Sequence, residues 1–213
     1  MKIMRAILFA AAFVLWGALQ AACAAPADKP ALPVDLKIED PASSWHHASG
    51  KPLTLVQDPQ GTHKGLVVEI PPDLNVWLLD MNPTSPKDSV ALACDLYLTG
   101  GNVQVAFGNT APGPTQFFGY FMGIDKSRTL SLSARLGQTG PWIGLAQSDT
   151  KLPDGWNRLK VVCFKDGTID VYANDDLYIE QIDTRIPLAP NWVNFQSNGD
   201  GKKYVANVTL EVK

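Results

Sequence analysis

The chain is poor in the residue types that many catalytic and metal-binding sites require. Its 213 residues include 3 histidines and 3 cysteines, with no Cys-x-x-Cys pair or Cys/His cluster that would predict a zinc site. It lacks the Gly-x-Ser-x-Gly motif of serine hydrolases and a glycine-rich phosphate loop between a strand and a helix. With 18 Lys+Arg against 21 Asp+Glu, the composition argues against a basic nucleic-acid-binding protein.

Carboxylates are also scarce where a glycosidase would need them. A glycosidase uses two carboxyl groups that lie close together, and the glutamates here are scattered along the sequence: Glu39, Glu69, Glu180 and Glu211. Asp80 and Asp95 each lie in an otherwise apolar, strand-like run. Each is interpreted either as a site carboxylate with Gln104 and Arg135 as neighbours, or as a solvent-facing residue of an alternating strand.

The only long apolar run is at the start of the chain, where it predicts a signal peptide over residues 1–24. Lys2 and Arg5 form a positive segment, residues 6–19 are uninterruptedly apolar, and residues 22–24 fit the small-x-small cleavage rule. A spanning helix needs about 20 apolar residues, so this run is too short for one. The sequence therefore predicts a secreted or periplasmic bacterial protein.

A lipoprotein signal that ends at Cys23 is the alternative interpretation of this segment. Leu19 lies one place too far from that cysteine for the usual lipoprotein pattern, which favours ordinary cleavage. Residues 25–35 are rich in proline and predict a lead-in to the domain. No later segment is apolar enough to predict a membrane span.

Residues 36–213 predict a single all-β domain. Short apolar–polar alternations recur, for example at Val103, Val105 and Phe107, and they are separated by Gly, Pro, Asn and Asp. About a dozen strands fit this stretch of ~175 residues. The pattern predicts a two-sheet antiparallel jelly-roll sandwich.

Two segments allow a prediction of strand register. Asp166 and Gly167 predict a type I′ turn with a two-residue loop, which would pair Phe164 with Ile169 and Val162 with Val171. Strict alternation along the last segment predicts one inward face formed by Tyr204, Ala206, Val208, Leu210 and Val212.

Removal of the signal peptide leaves two cysteines, Cys94 and Cys163, both in strand-like runs. An exported protein meets an oxidising environment, so a disulfide between them is one hypothesis. Two buried free thiols are the other, because cysteine packs as a small apolar residue.

The second half of the sequence resembles the concanavalin A-like, laminin-G-like jelly rolls. The resemblance rests on Trp156 and Asn157 at a strand start, the Tyr-x-Asn turn beginning at Tyr172, Phe195 and Gln196, and a closing strand over residues 207–210. Within that superfamily it is most similar to the bacterial 3-keto-disaccharide hydrolase-like group, a domain of unknown function. The resemblance implies a glycoside hydrolase or lyase in which Asp80 or Asp95 acts as acid/base.

Aromatic and amide side chains predict a carbohydrate ligand. Aromatic rings stack on the C–H faces of sugars, while amides and arginine bond to hydroxyls. The predicted stacking residues are Trp142, Tyr120 and Trp77. The predicted hydroxyl contacts are Gln104, Arg135, Asn194 and Gln196. Burial of these rings in the core is the alternative.

Exported carbohydrate recognition is the leading functional hypothesis. A hydrolase or lyase, and a structural or protein-interaction sandwich without a small ligand, are the alternatives. No cofactor is predicted, although Asp125, Asn198 and Asp200 lie in loops where calcium could bind. The sequence makes no prediction of the oligomeric state.

Overall fold

A computed structural model describes residues 54–70, 75–80, 86–110, 117–137 and 140–213, and the short strands at 34–35 and 46–47. These residues form fifteen strands and no helix, and none of them belongs to a helix that could cross a membrane. The predicted signal peptide and Cys23 lie outside the described residues. The strands are β1 (Val34–Asp35), β2 (His46–His47), β3 (Thr54–Gln57), β4 (Leu66–Ile70), β5 (Asn75–Asp80), β6 (Ser89–Leu98), β7 (Asn102–Thr110), β8 (Phe117–Asp125), β9 (Thr129–Leu136), β10 (Trp142–Lys151), β11 (Asn157–Phe164), β12 (Thr168–Ala173), β13 (Asp176–Ile182), β14 (Trp192–Asn198) and β15 (Lys203–Val212).

The strands form two antiparallel sheets, which confirms the predicted jelly-roll sandwich. The eight-stranded sheet has the order β13-β12-β11-β6-β15-β4-β3, with β1 also pairing with β15. The seven-stranded sheet has the order β10-β9-β8-β7-β14-β5-β2. Neighbours such as β6 and β15 lie far apart in sequence, so most of the sheet pairing is long-range.

The main hydrophobic core lies between the two sheets. It is formed by alternate residues of the strands, as in Val103, Val105 and Phe107 of β7 and Leu130 and Leu132 of β9. Each of these five side chains is at most 2% exposed. The intervening residues of the same strands therefore face outward, and they form the two outer surfaces of the sandwich.

The β11–β12 hairpin has a different register from the one predicted. Val161 pairs with Val171 and Cys163 with Ile169, so the loop is one residue longer than the predicted two. The amide of Gly167 donates to the carbonyl of Phe164 at 3.0 Å, and Gly167 has a φ of 92°. This is a three-residue loop with glycine in the left-handed region. The shift of one residue changes which side chains face the core.

The last strand is also not a single alternation, because β15 contains a bulge at Asn207. Its register against β6 shifts between Ala206 and Thr209, and Asn207 has a φ of 49°. Val205 and Val208 both lie in the main core as a result, while Ala206 packs in a separate cluster on the outer face. The prediction that Tyr204 and Ala206 share a face with Val208 is therefore wrong.

Cys94 and Cys163 are buried free thiols. On the paired strands β6 and β11, Cys94 is opposite Leu159 and Cys163 is opposite Val90. The cysteines are thus four residues apart along the strands, roughly 13 Å at the usual rise. A disulfide needs Cα atoms within ~7 Å, so the hypothesis of a Cys94–Cys163 bridge is wrong. Burial raises the pKa of both thiols, which keeps them protonated.

Candidate functional site

The outer surface of the seven-stranded sheet presents its side chains in three rows. The first row crosses β14, β7, β8, β9 and β10 through residues that are paired in register: Trp192, Gly108, Gly119, Arg135 and Trp142. The second row consists of Asn194, Ala106, Phe121, Ser133 and Gly144. The third consists of Gln196, Gln104, Gly123, Ser131 and Gln147. We call these three rows the Trp142 face, which covers roughly 13 by 19 Å at usual strand spacings.

Two glycines of the first row allow Trp192 to lie close to the sheet backbone. A Cβ atom on Gly108 would overlap the carbonyl oxygen of Phe118 and the Trp192 ring. A Cβ atom on Gly119 would lie 2.7 Å from Cζ2 of Trp192 and 3.0 Å from the carbonyl oxygen of Phe107. Trp192 is buried and packs in a small cluster with Phe121 and Ala106. This cluster forms a rigid apolar base on the outer side of the sheet.

Trp142 is the exposed aromatic side chain of this face. It remains 44% exposed although two side chains pack against it. The ring of Phe121 meets it edge-on with centroids 4.5 Å apart and an interplanar angle of 69°. The guanidinium carbon of Arg135 lies 5.2 Å from the centroid of the Trp142 ring, which is a cation–π contact. Trp142 is therefore held in place and open to solvent.

The amide groups of the Trp142 face lie mainly at its far end, roughly 20 Å from Trp142 at usual strand spacings for Gln104, Asn194 and Gln196. Gln104 and Gln196 are opposite each other in the third row and are half-buried. Asn194 is 3% exposed, and its side-chain oxygen has no hydrogen-bond partner. A buried acceptor without a donor costs about 1–3 kcal/mol. The face can thus stack one part of an extended ligand on Trp142 and exchange hydrogen bonds with hydroxyls further along it.

Five of the predicted ligand contacts are brought together on the Trp142 face: Trp142, Gln104, Arg135, Asn194 and Gln196. Tyr120 is not among them, since it is 3% exposed and packs in the core. Its hydroxyl donates to the backbone carbonyl of Asp183 at 3.0 Å and lies 3.1 Å from that residue's Oδ1. Burial and the charge of Asp183 raise the pKa of Tyr120. The predicted stacking role for Tyr120 is therefore wrong.

The third predicted stacking residue, Trp77, lies on β5. The backbone of β5 pairs Trp77 with Phe195, whose side chain belongs to the main core. The side chain of Trp77 lies outside the described residues. Sequence reasoning missed Phe121, which is the ring that supports Trp142. The signal was present as two aromatics four residues apart on β8, Phe117 and Phe121, since positions that differ by an even number share a face of a strand.

Asp80 and Asp95 belong to different sheets, so they do not share a site. Asp80 is in register with Trp192 on the seven-stranded sheet. Asp95 is paired with Arg158 on the eight-stranded sheet, on the other side of the core. The prediction that Gln104 and Arg135 are neighbours of Asp95 is wrong for the same reason.

Asp95 is the centre of a polar cluster around the β15 bulge. It accepts hydrogen bonds from Nη1 of Arg158 at 3.1 Å and from Nδ2 of Asn207 at 2.6 Å. Arg158 also donates to the backbone carbonyl of Asn207 at 2.7 Å. The Asp95 carboxylate therefore binds the side chain of the bulge residue Asn207 and also Arg158, which itself binds the backbone carbonyl of Asn207. His63 lies beside them, with Nε2 3.7 Å from Oδ2 of Asp95.

Replacing Asp95 by asparagine should destabilise the fold. The substitution keeps the size of the side chain but removes the charge that Arg158 and Asn207 bind, and hydrogen bonds to charged groups contribute about 1.5–3 kcal/mol. We expect the free energy of unfolding to fall by about 1–2 kcal/mol, as measured by urea denaturation. Glu211→Gln is the control, because Glu211 is exposed and contacts only Lys213 among described ion pairs. Equal losses in the two variants would contradict this role.

Asp58 anchors the loop that carries His63. Its carboxylate accepts from the amides of Gln60 at 2.8 Å and His63 at 2.7 Å, and from the indole of Trp156 at 2.9 Å. Burial alone would raise the pKa of Asp58, but these hydrogen bonds lower it below 3.8. The rings of His63 and Trp156 are in edge contact, with centroids 4.4 Å apart. The loop thus covers the outer cluster that contains Trp156.

Two of the three residues considered for calcium, Asp125 and Asn198, take part in turn hydrogen bonds. Oδ1 of Asp125 accepts from the amides of Ser127 and Thr129 and from the Ser127 hydroxyl at 2.6–3.0 Å. Oδ1 of Asn198 accepts from the amide of Gly199 at 2.7 Å. Within the described ranges, no three His, Cys, Asp or Glu side chains are grouped as a metal site. The prediction of no cofactor, with calcium as the alternative at these loops, stays a prediction.

Acid should destabilise the protein through three aspartates. Burial opposes ionisation of Asp58, Asp125 and Asp183, yet hydrogen bonds lower the pKa of each below 3.8. A lowered folded-state pKa means that the stabilisation is complete above the unfolded value near 4 and is lost as pH falls through the folded value. We therefore expect little pH dependence from these groups between pH 5 and 7 and a steep loss below about pH 4. Urea unfolding across this range measures it, and Asp58→Asn should flatten the acid limb.

Comparison with known proteins identifies the fold class. No family model matches the chain, and no curated protein matches it. Solved structures do match, and they show that the chain shares a β-sandwich fold with carbohydrate-binding modules and galectin-like domains.

Three of these structures illustrate the likeness. The carbohydrate-binding module CBM66 from Bacillus subtilis is 14% identical with a TM-score of 0.55, and the match covers 79% of this chain and 95% of that one. A protein of unknown function with a galectin-like fold, also from Bacillus subtilis, is 14% identical with a TM-score of 0.57 over 87% and 97%. A sialidase is 10% identical with a TM-score of 0.51 over 80% of this chain, which spans 17% of the sialidase.

Proposed function

We propose that this protein is an exported carbohydrate-recognition sandwich that binds a glycan or glycoside on the Trp142 face. The observation that carries the proposal is the exposed Trp142 ring, which Phe121 and Arg135 hold on the same sheet surface as the amide and hydroxyl groups of the other rows. A sugar presents an apolar C–H face to such a ring and its hydroxyls to the neighbouring polar groups. Export by the predicted signal peptide places the protein in the periplasm or outside the cell, where glycans occur.

The polar contacts of the bound glycan come from the second and third rows. Gln104 and Gln196 each offer an amide donor and an acceptor. The side-chain oxygen of Asn194 is an acceptor that a ligand hydroxyl or a bound water would satisfy. The name of one structure with the same fold, a carbohydrate-binding module, supports this kind of ligand.

A glycoside hydrolase or lyase of the 3-keto-disaccharide type is the second candidate. It is favoured by the Asp95–His63 pair, whose carboxylate and imidazole lie 3.7 Å apart with side chains 14% and 17% exposed. A carboxylic acid beside a histidine can move a proton to or from a glycosidic oxygen. In this candidate Asp95 is the acid/base. The Asp95→Asn variant should then lose turnover under conditions where it is still folded, which separates a catalytic role from the loss of stability expected above.

Glycan-array binding by the purified protein, with and without calcium, tests the proposal. Each glycan that binds is then incubated with the protein and analysed for products by mass spectrometry. Binding without product supports recognition, and calcium dependence would place metal ligands near the site. Release of products supports the hydrolase or lyase. Absence of binding to every glycan overturns both the recognition and the hydrolase or lyase proposals, and leaves a structural or protein-interaction sandwich.

A further inference from the structure

Arg135 is the charged residue among the described side chains of the Trp142 face. The other members of the three rows are glycine, alanine, serine, amide or aromatic residues, and the first row places Arg135 between Gly119 and Trp142. A ligand that stacks on Trp142 therefore lies close to the guanidinium of Arg135, whose carbon is 5.2 Å from the centroid of the Trp142 ring.

We propose that the Trp142 face selects acidic glycans and that Arg135 binds the carboxylate of the sugar. This inference rests on the proposed function and names the ligand class for the same face. An arginine is always charged, and its planar N–H groups match a carboxylate in a two-point contact. A neutral sugar offers only hydroxyls at that position. A hydrogen bond from the arginine to a hydroxyl is weaker than a two-point ion pair between the arginine and a carboxylate.

The position of Arg135 favours such a contact in two ways. Its guanidinium is stacked over Trp142, 5.2 Å from the ring centroid, so fewer rotamers are lost when a ligand binds. Space is also available beside it, because Gly144 lies opposite Ser133 in the next row, and a Cβ on Gly144 would meet nothing within 4 Å. The ring and the cation together form one platform, which takes an apolar sugar face and an adjacent carboxylate.

The selectivity should be about tenfold. A tenfold preference corresponds to about 1.4 kcal/mol, which is the order expected when one charge-assisted pair replaces a neutral hydrogen bond. Because Arg135 is partly exposed, salt screens the pair. The preference should therefore decrease as ionic strength rises, whereas stacking on Trp142 is nearly independent of salt.

The experiment compares each acidic glycan with the same glycan after reduction of its carboxyl group. The probes are uronic acid and sialic acid oligosaccharides, printed on an array beside their carboxyl-reduced forms and titrated by calorimetry at low and high salt. We expect the acidic form to bind about tenfold more tightly than the reduced form at low salt. Comparison of the uronic acid and sialic acid oligosaccharides shows which kind of acidic sugar is bound. Equal or better binding of the reduced forms would overturn this inference and leave carbohydrate recognition intact. Loss of all binding, acidic and reduced, would overturn the proposed function as well.

The Arg135→Gln variant assigns the selectivity to this residue. It should lose the preference for the acidic form, so that the ratio of acidic to reduced affinity falls to about one, while affinity for both forms also decreases because Arg135 packs on Trp142. Arg135→Lys should retain part of the preference, because it keeps the charge but not the two-point geometry. Lys160→Gln is the matched control: Lys160 lies 6.0 Å from the ring of Tyr172 on the other sheet, and its loss should change nothing. If Arg135→Gln does not fold, the salt dependence of the unchanged protein still decides between the outcomes.

Discussion

Replacing Gly108 by alanine should destabilise the protein by about 3 kcal/mol or more, which we expect to be one of the largest losses for a single methyl group in this fold. The added Cβ would overlap the carbonyl oxygen of Phe118, which is backbone of the neighbouring strand, and the ring of Trp192. The Phe118 carbonyl is held by the β7–β8 ladder, and the Trp192 ring is packed against Phe121 and Ala106, so neither neighbour can move away without loss of these interactions. Urea denaturation of the variant measures the loss as a lower midpoint.

Gly144→Ala is the matched control for this prediction. Gly144 lies on the same outer face, and a Cβ there would meet nothing within 4 Å. Its replacement should change the free energy of unfolding by no more than about 0.5 kcal/mol. If Gly108→Ala were as stable as Gly144→Ala, that result would contradict the close packing of Trp192 against the backbone at Gly108.

Replacing Trp142 by alanine should abolish most of the glycan affinity. Aromatic residues at the centre of a binding surface commonly contribute at least 2 kcal/mol, which corresponds to about a 30-fold weaker dissociation constant. The fold should survive, because 44% of the Trp142 side chain is exposed and only its inner edge packs on Phe121. Calorimetric titration with a glycan from the array measures the affinity, and circular dichroism verifies the fold.

Phe164→Ala separates stacking on Trp142 from a general loss of surface apolarity. Phe164 is also an exposed aromatic, at 37% of its surface, but it lies on β11 of the other sheet. Its replacement should leave glycan affinity unchanged. A comparable weakening in both variants would show that the ligand does not bind on the Trp142 face.

The sequence predicts the sandwich well because alternation is a local property. The core positions of β7 and β9 follow directly from residues spaced two apart. Register is less predictable, since it depends on turn geometry: Asp166 and Gly167 fit a two-residue loop, yet the chain uses three residues. The bulge at Asn207 depends on a distant partner, Asp95, whose carboxylate accepts from the Asn207 side chain. No local pattern contains that contact.

The candidate site could be predicted in part for the same reason. Gln104, Asn194 and Gln196 share a face because alternation and pairing place them there. The prediction for Tyr120 is wrong because aromatics occupy consecutive positions of β8. Only the burial of Met122 and Ile124 shows that Tyr120 lies on the core face. Gly108 carried an unused signal: a glycine inside a strand pattern often marks a close approach of another group.

The two buried cysteines of the central strands, Cys94 and Cys163, can be used to measure unfolding of the protein. Cys94 and Cys163 are 0% and 2% exposed in the central strands β6 and β11, and burial raises the pKa of each thiol. A thiol-specific reagent should therefore react only when these strands separate from the core, and its labelling rate then follows global unfolding rather than local fluctuation. Since no disulfide links the strands, the labelling rate in native buffer should be the same with or without prior treatment with a reducing agent. Labelling in mild urea, followed by mass spectrometry, would measure unfolding without any engineered probe.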